Sequence, residues 1–342
     1  VKSILQKLTQ AGNLDQQEID EVIFGMKEDR FVPTQIAGFL TALLMKGPTT
    51  EEVSGIARAM RRACVTISPQ ADKITDTCGT GGGLTTFNVS TTNALVSAAA
   101  GVNIAKHGSR SISSSSGSAD VLETLGVAVE VEPTRAEKMI EEIGFAFLYA
   151  PFYHPVMMKV FGPEHDLGIK TIFFTIIGPI INPAGAKRHV LGVYRPELVD
   201  QVAQVVAELD FEHVMVVHGL DGLDEISLMG PTRIAEVKNG SIRNYTVNPE
   251  DFGLKRCSWQ DVHGGTPDFN ARIIMDILTG NDQGPRRDKV VLNAAATLVV
   301  ADKAASLPEG LEIARQTIDS GKALAKLREI QIVSQEIKGE LH

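Results

Sequence analysis

The stretch KITDTCGTGGGLTTFNVSTT, residues 73–92, decides the fold. It opens as a β-rich run, Lys73 to Cys78, breaks on glycines at 79 and 81–83, and leads through hydroxyl side chains into a helical, alanine-rich run, Ser90 to Ala100. Strand, glycine loop and helix in that order form one unit of an α/β fold with a largely parallel sheet, and such sheets take ligands at the carboxyl ends of their strands. Glycines let backbone amides turn toward an anion, and hydroxyls at a helix N-terminus add donors where the dipole already favours negative charge. A plain turn capped by Ser90 would need few of these donors, so the loop reads as a phosphate cradle. It is not a dinucleotide fingerprint, because Leu84 takes the place of the final glycine, and no Gly-Lys-Ser/Thr completes a P-loop.

Downstream, the alternation continues. Val102 to Ala105, Val127 to Val131, Phe145 to Tyr149, His189 to Tyr194 and His213 to His218 are strand candidates, and Ala119 to Leu125, Pro133 to Ile143 and Pro196 to Leu209 are helix candidates. A second loop, Lys106 to Asp120, sets Lys106, His107 and Arg110 among a run of serines, a composition suited to clamping phosphate oxygens. Residues 154–185 break the pattern with Pro155, Gly162, Pro163, Gly178, Pro179 and Pro183, and from Thr266 the chain is strongly helical.

Upstream, residues 1–68 read as helices only. Ile4, Leu5, Leu8 and then Ile36, Phe39, Leu40, Leu43, Leu44 recur at helical spacing, and Thr49 with Glu52 forms a capping box before Val53, Ile56, Ala57 and Met60. The expected architecture is a small N-terminal all-helical domain (1–68, with a returning segment at 154–185) plus a larger α/β domain (72–342) with a central, largely parallel sheet flanked by helices. The apolar faces of the short helices exceed what they can cover alone, so they are expected to pack on a later segment or a second subunit.

Composition sets the outer limits. The chain has 342 residues, 43% hydrophobic and 22% charged, which is globular and long enough for two parts with a cleft between them. The apolar runs Ile172 to Ile177 and Val290 to Ala301 are too short or interrupted to cross a bilayer, and residues 1–6 lack a secretion-signal core, so a cytoplasmic location is expected. Cys64, Cys78 and Cys257 are odd in number and far apart, which argues against a disulfide framework or a CxxC metal site. A net charge of -9 disfavours nucleic acid and membrane surfaces, so a bound polyphosphate needs backbone amides, hydroxyls and a divalent cation.

The ordered set Gly-Thr-Gly-Gly (79–82), Asn-x-Ser-Thr (88–91), Lys-His-Gly-x-Arg (106–110), Ser-Gly-Ser-x-Asp (116–120) and Val217-His218-Gly219 leading to Asp224-Glu225 resembles the anthranilate phosphoribosyltransferase family of tryptophan biosynthesis, from the N-terminal helices to about residue 335. The resemblance implies a nucleoside-phosphorylase-like fold and transfer of the phosphoribosyl group of 5-phosphoribosyl 1-pyrophosphate (PRPP) to anthranilate. Position by position it implies PRPP contacts at Gly79, Gly82, Gly83, Thr86, Asn88, Ser90, Thr91, Lys106, His107, Gly108, Ser109, Arg110, Ser111, Ile112, Ser113, Ser114 and Ser118. It implies magnesium ligands at Ser90, Asp224 and Glu225, and an acceptor site around Gly79, His107, Ser109, position 164, His165, Gly178 and Pro179. It also implies a homodimer through the N-terminal helices, and His107 as a lining of the amine pocket rather than a base.

The sequence departs from that family at three positions. Gly83 replaces the usual Asp, Ser109 the usual Asn, and Glu164 stands where the family places an arginine that pairs with the anthranilate carboxylate. Two carboxylates repel, so Lys159, His165 or Lys170 would have to serve instead. The run Lys170 to Pro179 is also one residue longer than the family pattern. A pyrimidine nucleoside phosphorylase, a transferase for a different aromatic amine, and a non-enzymatic nucleic-acid-binding relative share the architecture. Gly-Thr-Gly-Gly and Lys-His-Gly fit the transferase better than the phosphorylase, and the charge of -9 opposes the nucleic-acid binder.

Overall fold

The structure, a computed structural model, describes residues 1–111 and 115–340. Four helices open the chain: α1 (Lys2–Thr9), α2 (Gln16–Lys27), α3 (Pro33–Lys46) and α4 (Thr50–Ala63). The Thr49–Glu52 capping box forms as read: the Thr49 hydroxyl accepts from the Glu52 amide at 3.3 Å, and Glu52 Oε2 accepts from the Thr49 amide at 2.8 Å. Glu52 is buried and also pairs with Lys46 at 2.6 Å, so the cap ties α4 to the end of α3.

After the helices come β1 (Thr75–Asp76), α5 (Val89–Ala99), β2 (Ile104–Gly108), α6 (Ser118–Thr124), α7 (Pro133–Ile143) and β3 (Phe145–Tyr149). A helical stretch follows, α8 (Ala150–Tyr153), α9 (Pro155–Leu167), a π-helical turn at Phe173–Ile177 and α10 (Gly178–Ile180). The sheet resumes with β4 (Arg188–Gly192), α11 (Glu197–Glu208), β5 (His213–Gly219), β6 (Thr232–Lys238) and β7 (Ser241–Val247). Helices α12 (Trp259–Val262), α13 (Pro267–Thr279), α14 (Pro285–Val300), α15 (Leu307–Asp319) and α16 (Lys322–Glu340) complete the chain.

The seven strands lie in the order β3-β2-β1-β4-β5-β6-β7, parallel from β3 through β5 and antiparallel from β5 to β7. Strand periodicity divides the interior into two faces. On β5, Met215 and Val217 join α5, α6, α13 and α14 in one core, while Val214 and Val216 join α11 and the N-terminal helices in the other. That second core also takes Val156, Val160, Phe173 and Ile177, so the segment after β3 packs with the N-terminal helices, as its broken pattern suggested.

The structure differs from the sequence reading at three places. Val127, Val129 and Val131 are buried as expected of a strand, yet they form no ladder; β3 holds the place beside β2, and the valines simply fill the core. The β6–β7 hairpin was not expected. Its turn, Asn239-Gly240, has φ of 48° and 79°, the paired positive values of a type I′ hairpin for which Asn-Gly is suited. The run Lys170 to Pro179 also holds an unexpected π-helical turn, where the Gly178 amide bonds the Phe173 carbonyl five residues back.

Candidate active site

β1 is central, with β2 on one side and β4 on the other, so the loops leaving β1 and β4 diverge and open a crevice at their carboxyl ends. The floor of that crevice is Asp76, fully buried at the end of β1. Its Oδ1 accepts from the amides of Thr77 (2.7 Å), Cys78 (3.1 Å) and His107 (3.2 Å), and its Oδ2 from Asn182 Nδ2 (2.7 Å). One carboxylate thus pins the start of the glycine loop, the end of β2 and the segment before β4. Beside it, the His189 ring meets the Cys78 carbonyl at 2.7 Å, and burial pushes the Cys78 thiol up to about 12, which removes it as a nucleophile.

The glycine loop packs against the loop after β5. The Leu84 amide donates to the Gly222 carbonyl at 3.0 Å, and a Cβ on Gly83 would stand 2.6 Å from that same carbonyl, so a side chain at 83 would force the loops apart. A Cβ on Gly79 would stand 3.3 Å from Asp224 Oδ2. Burial, with the Glu225 charge second, raises the Asp224 carboxyl to about 6. Glu225 Oε1 accepts from the Thr86 hydroxyl at 2.6 Å and pairs at 3.1 Å with Lys289, which is wholly buried. Asp224 and Glu225 repel each other at the lip of an anion cradle, and a divalent cation relieves that repulsion. Two carboxylates, with no third His, Cys, Asp or Glu grouped with them among the described residues, suit magnesium, which keeps waters and takes oxygens from a bound phosphate.

Behind the cradle, Lys106 on β2 is buried and its ammonium hydrogen-bonds two hydroxyls, Thr77 Oγ1 at 3.2 Å and Ser90 Oγ at 3.4 Å. Burial lowers its pKa, since desolvation opposes the charged form. Thr91 is fully buried, and its hydroxyl finds no partner among the described residues. Asn88 donates to the carbonyls of Ser116 (3.2 Å) and Gly117 (3.3 Å) and accepts from Asn270 at 2.8 Å, so it ties the serine loop to α13. The serine loop is further clipped by Asp120, whose Oδ2 accepts from the amides of Ser111 (3.0 Å) and Gly117 (2.8 Å). The Ser109 carbonyl accepts from the Ser118 hydroxyl at 3.4 Å, and Gly108 lies so close to Ser118 Oγ that any Cβ there would collide with it. Ile112, Ser113 and Ser114 lie outside the described residues. The Arg110 guanidinium turns to Glu123 and to Glu130 (2.9 Å), over the Tyr149 ring, and so is engaged away from the cradle.

The expected acceptor side divides. His107 faces His154, Nε2 to Nε2 at 3.1 Å, and the Gly178 backbone lies close enough to favour protonation of the His107 ring. Burial nevertheless drives His107 down to about 4 and His154 well below its ordinary value, so both rings are neutral near pH 7. Glu164 is elsewhere. Its side chain is buried under the end of α9, where Oε1 accepts from the Thr171 amide at 2.9 Å and from the Thr171 hydroxyl. His165 is exposed, stacked on Phe161 and paired with Asp166. Lys159 pairs with Asp29 at 2.5 Å. The Lys170 Nζ lies 3.8 Å from where a Cβ on Gly82 would stand.

Of the expected acceptor residues, the structure therefore brings His107 and Gly178, with Pro179 next in sequence, to the crevice where Gly79 and Ser109 begin their loops. Glu164 and His165 it places away from that crevice. Sequence reasoning missed Asp76, His154, Asn182, His189 and Lys289. A carboxylate inside the short β1 run was the one visible signal; the others act through partners far along the chain.

Residues 71–324 match the glycosyl transferase family, a/b domain, and residues 2–64 match the glycosyl transferase family, helical bundle domain. An anthranilate phosphoribosyltransferase of Acetivibrio thermocellus is 47% identical over 96% of this chain and 95% of its own length. The crystal structure of anthranilate phosphoribosyltransferase from Thermus thermophilus superposes with a TM-score of 0.91 at 39% identity, covering 97% of this chain and 99% of that one. The Saccharomyces cerevisiae enzyme in complex with PRPP and Mg gives a TM-score of 0.88 at 29% identity, over 98% of both chains. In complex with 4-fluoroanthranilate, the yeast enzyme gives 0.86 at 28%, over 98% of this chain and 97% of that one. With helical bundle and α/β parts both matched and nearly its whole length aligned, the chain belongs to the anthranilate phosphoribosyltransferase family.

Proposed function

We propose that this protein transfers the 5-phosphoribosyl group of PRPP to anthranilate, giving N-(5-phosphoribosyl)anthranilate and pyrophosphate, a step of tryptophan biosynthesis in the cytoplasm. The observation that carries the reading is the glycine loop, 79–83, folded against Asp224 and Glu225 with the Lys106 ammonium buried behind it. Amides and hydroxyls of the two loops would hold the phosphates, and Asp224 and Glu225, with Ser90, would hold magnesium. What that cation supplies is neutralisation of the negative charge that grows on the leaving group.

In the reaction the C1–O bond to pyrophosphate breaks, the amine nitrogen forms a bond to C1, and the amine's proton passes to water or to the released pyrophosphate. An aromatic amine is neutral near pH 7, so the protein's task is to position it and to stabilise charge. His107 fits that division. With its pKa down at about 4 it is a weak base, and a neutral ring against His154 lines a pocket rather than removing a proton. Lys106 contributes from below, its charge held among hydroxyls and so open to an anion.

The protein is proposed to work as a homodimer through its N-terminal helices. Val32, Leu44 and Met45 lie exposed on or beside α3, with Met158 and Leu167 exposed on the adjoining α9, an apolar surface of the kind that marks an interface. Among the described residues no helix is long and apolar enough to cross a membrane. The test of the reaction is pyrophosphate release from PRPP. It should require both anthranilate and magnesium and stop on chelation; release without an amine, or phosphorolysis of a pyrimidine nucleoside instead, would refute the reading.

A further inference from the structure

We propose that Lys170 is a ligand of the donor's diphosphate, delivered to the glycine loop across the cleft by the helical part of the protein. The inference rests on PRPP being the donor and adds to it a residue from outside the phosphate loops.

Placement is the first argument. Lys170 lies between α9, which packs on α2 and α3, and Ile172 and Phe173, which are buried in the core shared with the N-terminal helices. Its backbone is therefore anchored to the helical side. Its ammonium nevertheless sits 3.8 Å from where a Cβ on Gly82 would stand, beside the Tyr194 ring, which approaches the same point to 3.8 Å. Gly82, at φ of 90°, belongs to the stretch of loop that also lies against Asp224. A diphosphate held at Asp224 and Glu225 would lie along the same glycine loop that this cation reaches.

Electrostatics is the second argument. The protein carries a net charge of -9, and its cradle places two carboxylates beside a site for an anion. Even with Lys289 on Glu225 and Lys106 behind the cradle, one divalent ion against two carboxylates and a phosphorylated diphosphate donor leaves excess negative charge, which a lysine at the lip offsets. Glu164 then gains a role that its position in the sequence did not suggest. By clasping the amide and hydroxyl of Thr171 it fixes the backbone next to Lys170, so that the side chain leaves toward the cleft.

The test is calorimetry without any amine, using the whole protein and magnesium. Lys170→Ala should weaken PRPP and pyrophosphate by about 10- to 100-fold, the range for a charge-assisted contact, while leaving ribose 5-phosphate unchanged. Lys170→Arg should restore most of the affinity. Lys170 is exposed, so neither change threatens the fold. Unchanged PRPP affinity in Lys170→Ala, or an effect confined to the Michaelis constant of the amine, would overturn the proposal while leaving the PRPP reading intact. Failure of the unmodified protein to bind PRPP would remove both.

Discussion

The donor side and the acceptor side of the cleft are built by different means. The donor side is local and backbone-rich: a glycine loop, hydroxyls at the start of α5, one lysine on β2 and an acidic pair, all at the ends of neighbouring strands. The acceptor side is assembled from the tip of β2, the N-terminus of α9 and a π-helical turn, and its polar groups are neutral imidazoles rather than ions. Backbone amides at strand ends follow from the fold, and glycines such as Gly83, where a Cβ would stand 2.6 Å from the Gly222 carbonyl, keep them accessible. Side chains gathered from a returning segment depend on how each one turns, and there Glu164 holds the Thr171 amide and hydroxyl.

The largest effect expected from this contrast is at the acidic pair. Asp224→Asn should lower kcat/KM for pyrophosphate release by at least about 1000-fold, because it weakens the hold on a cation that is worth several kcal/mol in the transition state. The apoprotein should be no less stable, since a carboxylate pushed up to about 6 by burial and by Glu225 is replaced by a neutral group. Glu225 behaves differently. It neutralises the buried Lys289, so removing it mixes loss of metal with loss of an internal ion pair, and Asp224 alone gives the cleaner experiment. Normal turnover of Asp224→Asn at low magnesium would take the pair out of the mechanism.

Acid sharpens the comparison from the other side. His107, His154 and His189 are buried with lowered pKa values, so below about 6.5 the unfolded chain takes up protons that the folded chain refuses. Stability should fall as the pH drops from 6.5, by up to about 1.4 kcal/mol per pH unit for each ring, and for His107 the loss is complete near pH 4. His154→Gln should flatten this slope by about one proton in denaturant titrations at several pH values. An unchanged slope would mean that His154 is charged in the fold.

A smaller effect separates function from packing at Lys106. Lys106→Met keeps the volume of the stem and removes a charge that burial disfavours, so the apoprotein should melt at a higher temperature. Donor affinity should fall by about 10- to 150-fold, the loss of one charge-assisted contact of roughly 1.5–3 kcal/mol. Unchanged donor binding by calorimetry would mean that the ammonium serves only Thr77 and Ser90.

Much of the fold was legible because its signals are local. Glycines and hydroxyls after an apolar run gave the first βα unit, and the Thr49–Glu52 pair gave a helix start that the hydrogen bonds reproduce. Val127 to Val131 misled because alternation reports burial, whereas a ladder also requires a free neighbour. The β6–β7 hairpin was signalled by Asn239-Gly240 and went unread. The site was legible where it depends on loop chemistry, at Gly79 to Gly83, Lys106 and Asp224–Glu225. It was opaque where one atom reaches across the chain, as Asn182 does to Asp76 and Lys289 to Glu225. Glu164 was read as a defect in acceptor binding because spacing reveals which residue stands at a position, not which way its side chain turns.

The central claim is that this protein passes the phosphoribosyl group held at its donor site to anthranilate. The most direct measurement is kcat/KM for anthranilate, para-aminobenzoate and aniline, followed by pyrophosphate release at saturating PRPP and magnesium. Anthranilate should be preferred by at least about tenfold over both, since a buried carboxylate binds well only where donors meet it and an ortho carboxylate fixes the amine's approach. Equal values for the three amines, or turnover of another amine without anthranilate, would contradict the account.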